Sequence, residues 1–161
     1  MEQKNFDIKN VKVHRTTEGA VFEVAFAIVA LVVWGIIAWL IHQAPDIVPT
    51  HFDGAGNPNA YGSPIGAVIP CGILTIVAIG LMVLAYYPRH INTPTKIRNI
   101  RQAELTIRMT RVMGITLLLL ALAVAYIMLG MSKPSATPVF AIVVVMILEI
   151  IIFSILTNKA K

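Results

Sequence analysis

Four apolar blocks of about twenty residues each constrain this chain more than any other feature. They fall at residues 18–42, 64–87, 112–131 and 138–157. A helix of about twenty residues rises roughly 30 Å, the thickness of a bilayer's hydrocarbon core. A backbone inside that layer must satisfy its own amides and carbonyls, and unbroken blocks of this length do so as helices. Composition agrees, with 57% of the 161 residues hydrophobic, 13% charged and a mean hydropathy of +0.79. A soluble domain of this size needs far more polar surface. The expected fold class is an all-α integral membrane protein, one four-span domain over residues 1–161. The first block is too long for a signal-peptide core and no small-residue cleavage site follows it, so it reads as a retained first span.

The cations set the expected orientation. Of thirteen Lys and Arg, four lie in the tail at residues 1–17, six in the basic segment 88–111 and two in the tail 158–161. The loop 43–63 has none, and the turn 132–137 has Lys133 alone. The positive-inside bias therefore puts both termini in the cytoplasm and the 43–63 loop outside. The net charge of +5 then reflects topology and attraction to anionic lipid rather than nucleic acid, since no basic groove interleaved with aromatics is visible.

Residues 45–64 form the longest polar stretch between two apolar blocks, with four of the nine prolines and three of the ten glycines. Turn signals cluster at Asp53-Gly54, Gly56-Asn57 and Asn57-Pro58, and β-prone Val48, Thr50 and Phe52 precede them. That pattern predicts a short hairpin-like cap over one mouth of the bundle. Ser63-Pro64 and Thr137-Pro138 each read as a cap residue followed by proline at the first helical position. Pro70 is expected to loosen the first turns of span 2. In the segment 88–111, apolar residues recur at roughly helical spacing from Ile97, so span 3 is expected to begin as an amphipathic helix.

Three places invite chemistry. Glu149 lies in the middle of span 4, where an acid must face protein, be protonated or find a partner. By depth Thr75 and Thr116 are within reach, and Arg111 only if spans 3 and 4 pack closely. It reads either as a proton-linked or ligand-binding carboxylate, or as a neutral hydrogen-bonded carboxyl that helps helices associate. Glu23, a turn or so inside span 1, reads as a carboxylate reaching out to headgroup water. His51 and Asp53 suggest a metal, but two ligands are too few, and Ala55 and Pro58 break a calcium-loop pattern. His51 is instead expected to help fold the loop. The single cysteine, Cys71, reads as a small buried hydrophobe. No Gly-x-Ser-x-Gly, His-Glu-x-x-His or phosphate-cradling glycine loop occurs, so the chain reads as non-enzymatic, with no cofactor and no metal.

The run Pro45-Asp46-Ile47-Val48-Pro49-Thr50-His51-Phe52-Asp53-Gly54-Ala55-Gly56-Asn57-Pro58-Asn59 resembles a bacterial membrane family, the domain of unknown function number 1648. That family is also related to the N-terminal part of SdpI-type immunity proteins. Asp53 and Asn59 stand where the pattern has Asn and Asp, which preserves turn chemistry. The resemblance implies a bacterial inner-membrane protein in envelope stress, toxin protection or signalling to a regulator, and its small members carry a proline-rich inner loop matched by residues 87–97. It supplies no catalytic residue. The expected binding residues are Pro49, Thr50, His51, Phe52, Asp53 and Asn57 in the loop, with Glu149 in the membrane. Besides the lipid bilayer, the expected partners are a peptide, a lipid, or a membrane or regulatory protein. The alternative reading is a small transporter or ligand-binding bundle centred on Glu149.

Overall fold

A computed structural model describes residues 13–93, 96–130 and 136–160. Its helices are α1 (Thr17–Gln43), α2 (Val68–Leu84), α3 (Ile100–Leu129) and α4 (Thr137–Lys159). A two-stranded antiparallel sheet, β1 (Val48–Phe52) and β2 (Pro58–Gly62), joins α1 to α2. All four helices, α2 together with the 3₁₀ turn Pro64–Ala67 before it, are long and apolar enough to cross a membrane.

The bundle is built around α3. Helices α1, α2 and α4 each pack against it. The sequence explains this choice of hub. Apolar residues run all the way round α4, which buries only Thr157 along its length. Helix α3 alternates small and polar residues with large ones, and its Gly114, Thr116, Ala121 and Ala125 are buried. In lipid there is little hydrophobic drive between helices, so close approach of small residues and interhelical hydrogen bonds select the interface. The seam with α2 shows both. A Cβ on Gly114 would lie 3.2 Å from the Ala78 carbonyl, and the Cys71 thiol donates to the Ala121 carbonyl at 3.3 Å. Helix α1 ties in through buried Val33 and Ile37, and its Trp34 Nε1 donates to Thr75 Oγ1 on α2 at 3.1 Å.

Several boundaries differ from the sequence expectation. Neither Ser63 nor the residue before Thr137 makes a side-chain cap, and Thr137 is itself the first residue of α4. The first turn of span 2, Pro64–Ala67, is 3₁₀ and runs directly into α2, of which Pro70 is the third residue. Helix α2 ends at Leu84 rather than 87. Helix α3 is continuous from Ile100, within the segment expected to open span 3 as an amphipathic helix, and Asn99 caps it by accepting from Gln102 N at 2.9 Å. Its 30 residues rise about 45 Å, so its first turns overshoot a hydrocarbon core of roughly 30 Å. Helix α4 runs on to Lys159, into residues expected to be tail. Its last carbonyls are taken by α3: Gln102 Nε2 donates to Thr157 O and Ala160 O at 3.0 Å each, and Asn99 Nδ2 to Ala160 O at 3.2 Å. The tail residues 1–12 and most of the expected 132–137 turn lie outside the described residues.

Candidate functional site

The candidate loop residues come together in the hairpin. Its turn is closed by Asp53, whose Oδ1 accepts from Ala55 N at 2.9 Å and Asn57 N at 2.8 Å, while Oδ2 accepts from Asn57 Nδ2 at 3.3 Å. Backbone bonds from Asp53 N to Asn57 O and from Gly56 N to Asp53 O complete it. These donors, led by the Asn57 amide, hold the Asp53 carboxyl below its ordinary range. Gly56 adopts φ +84°, which favours glycine, and a Cβ there would also meet Ala136 Cβ at 3.1 Å. The hairpin tip therefore rests on the start of α4.

The strands divide their side chains between two tasks. Val48 is 2% exposed and belongs to the helical core, and Phe52 packs beside it. Thr50 lies against Gly62, where a Cβ would come within 3.2 Å of the Thr50 methyl. Pro49 pairs across the sheet with Tyr61, and His51 with Ala60, with register shifts on both sides of His51. These irregularities re-aim His51 locally. Its Nδ1 lies 2.5 Å from Asn59 Oδ1. An amide oxygen can only accept, so in this contact His51 Nδ1 is the donor. His51, Asp53, Asn57, Asn59 and Tyr61 are exposed, and Tyr61 retains 63% of its surface. Among the described residues no cluster of three or more metal-ligating side chains forms.

Glu149 lies apart from this face, in the middle of α4. Thr116 donates its hydroxyl to Glu149 Oε1 at 2.6 Å, and Oε2 is enclosed without a partner among the described residues. Of the three partners considered from depth, only Thr116 takes this role. Thr75 instead accepts from Trp34 and donates to Cys71 O. Arg111 turns toward α1 and α2, over the rings of Phe22 and Tyr86.

A third group, at the bundle end opposite the hairpin, escaped the sequence reading. Glu23 does not reach out to headgroup water alone. Tyr86 donates to its Oε1 across 63 residues of chain, and Arg15 Nη2 lies 2.7 Å from its Oε2. Glu18 is clasped by Arg108 through Nε at 2.6 Å and Nη2 at 2.8 Å. The available signal was two acids in the first turns of one helix and two arginines three apart on another, all at the same depth in a four-span topology.

Comparison with known proteins bears on the hairpin half of the molecule. Residues 28–75 match the family model described as "Domain of unknown function (DUF1648)". An uncharacterized protein of Archaeoglobus fulgidus is similar at 33% identity over 66 residues, covering 36% of this chain and 36% of that protein. The chain thus spans about a third of that relative's length. No solved structure matches. The match to that family model starts inside α1, takes in both strands and ends inside α2, and the hub helix α3 lies outside it.

Proposed function

We propose that the protein is a non-enzymatic binding or sensing protein whose hairpin engages a partner on the outer side of a cytoplasmic membrane, with both chain termini inside. The observation that carries this reading is the division of labour along the hairpin. Val48 and Phe52 anchor it in the helical core and Gly56 rests on α4, so the exposed row of His51, Asn59 and Tyr61 is held on a fixed base. Preorganised polar and aromatic groups of this kind suit recognition of a peptide, a lipid headgroup or a protein partner, because little ordering entropy is lost on binding. The charge asymmetry supports the orientation. Toxin protection and signalling are the roles this reading includes.

Two measurements test this reading. An Asn57→Cys variant in intact cells is expected to react with a membrane-impermeant maleimide without permeabilisation. Purification from native membranes, with identification of what accompanies the chain, is expected to show a component that Pro49→Ala and His51→Ala lose at unchanged protein level. Full retention by both variants would sink the hairpin reading.

A second reading rests on Glu149, whose Oε2 is enclosed without a partner among the described residues. A small transporter or ligand-binding bundle centred there requires Glu149→Gln to alter pH-dependent flux or binding, and an unaltered response removes it.

A further inference from the structure

The bundle end opposite the hairpin holds a buried cation that feels the charges of Glu18 and Glu23 but forms no direct ion pair among the described residues. Arg111 is 3% exposed. Its guanidinium carbon stands 5.8 Å from the Phe22 ring centroid and 5.4 Å from that of Tyr86. Nη2 presses on α1 so closely that a Cβ on Gly19 would lie 3.0 Å away. Nε is enclosed and has no acceptor among the described residues. The two nearest acids are engaged elsewhere, Glu18 by the Arg108 fork and Glu23 by Arg15 and Tyr86. A buried guanidinium nitrogen without an acceptor is unfavourable, so the site gains from an anion that reaches this guanidinium.

A groove of about 350 Å³ offers the way in. It runs between the start of α1 and the first turns of α3, and Arg111 lines it with His14, Thr16, Glu18, Glu104 and Arg108. The N-terminus of α1 opens onto it, adding the partial positive charge and free N–H groups of a helix start. Glu18 is neutralised by Arg108, and the exposed Glu104 lies one turn from Arg108 along α3.

We propose that this groove binds the phosphate of an anionic phospholipid headgroup, with Arg111 as the principal cation. A phosphate matches the planar fork of an arginine, which can present Nε and one Nη together. Depth argues for a lipid as its source. The unbroken apolar run of α3 begins at Val112, immediately after Arg111, so the guanidinium lies at the level of headgroup phosphates. This site does not depend on the hairpin reading, since it lies at the other end of the bundle.

Native mass spectrometry of the full chain in detergent tests it, with phosphatidylglycerol, a phosphate-free galactosyl diacylglycerol and inorganic phosphate as probes. Phosphatidylglycerol is expected to bind in preference to the galactolipid. Arg111→Gln is expected to weaken it by roughly tenfold, the size of one charged hydrogen bond. Glu18→Gln, at an exposed position, frees Arg108 and is expected to tighten binding, which a misfolded chain could not do. Displacement of phosphatidylglycerol by inorganic phosphate at equal concentration overturns the lipid source. Equal retention of the galactolipid, or unchanged affinity in both variants, overturns the site.

Discussion

Thr116 on α3 donates its hydroxyl to Glu149 on α4 at 2.6 Å, a polar contact between two apolar helices near mid-membrane. The hydroxyl's single proton is shared, since Val112 O of its own helix lies 3.2 Å from the same oxygen, as the longer arm. Because α4 buries little else, this bond contributes disproportionately to where α4 sits on α3. Thr116→Val keeps the shape and removes the donor. We expect it to cost about 0.6–1.7 kcal/mol, the range of interhelical hydrogen bonds in membranes. Glu149→Gln can still accept from Thr116, so its cost is expected to be smaller. Unfolding in mixed micelles would measure both, and a larger loss in Glu149→Gln than in Thr116→Val would contradict the structural role.

The C-terminal end of α4 depends on one buried side chain of α3. Gln102, 7% exposed, donates to Thr157 O and Ala160 O, adding to the bonds these carbonyls accept from Ala160 N and from Asn99 Nδ2. Gln102→Leu preserves bulk but removes the two Gln102 bonds, and is expected to destabilise by about 1–3 kcal/mol. Hydrogen exchange should show faster amides confined to the last turn of α4. Unchanged exchange there would mean that other groups cap it.

The α2–α3 seam tolerates no added side chain. At Gly114 a new methyl would meet the Ala78 carbonyl at 3.2 Å and the Met82 side chain at 3.5 Å. Met82 is flexible, but a helix backbone is not. Gly114→Ala is expected to lose about 1–3 kcal/mol as the helices part. Gly35 and Gly80, with open space around a Cβ, are the controls, and the same substitution there should leave the midpoint nearly unchanged.

Acid should loosen the hairpin late. The folded carboxyl of Asp53 titrates below its ordinary value of 3.8, because it accepts from the Asn57 and Ala55 amides. Its support for the turn is therefore complete above the ordinary value and is lost as pH falls through the depressed one. Titrated from about pH 6 to about pH 2, the Ala55 and Asn57 amide resonances should stay in place until the low end, beneath the normal carboxylate range. A transition at or above the ordinary Asp value would contradict the turn geometry.

Much of the fold is legible in the sequence because two strong signals carry it. Block length reads out four spans, and the turn residues between Asp53 and Pro58 read out a hairpin. The identity of the hub is not legible from hydropathy. Apolar residues surround α1 and α4 on every side, and lipid tails are as apolar as a helical core, so periodicity names no packing face. The usable signal lay in the small residues of α3, Gly114, Ala121 and Ala125, opposite Cys71 and Ala78 of α2. At the candidate sites, the Asp53 turn follows from local chemistry. The pairing of Glu23 with Tyr86, and the isolation of Arg111, depend on how distant helices meet, which no local pattern encodes.

The central claim is that the exposed face of the hairpin meets a partner outside the membrane. It is tested most directly by placing a photo-activatable amino acid at position 61 in living cells and identifying the adduct by mass spectrometry. The expected result is one discrete adduct with an extracytoplasmic or membrane component, abolished by His51→Ala at unchanged protein level. No adduct at position 61, or one that His51→Ala leaves intact, would contradict the account.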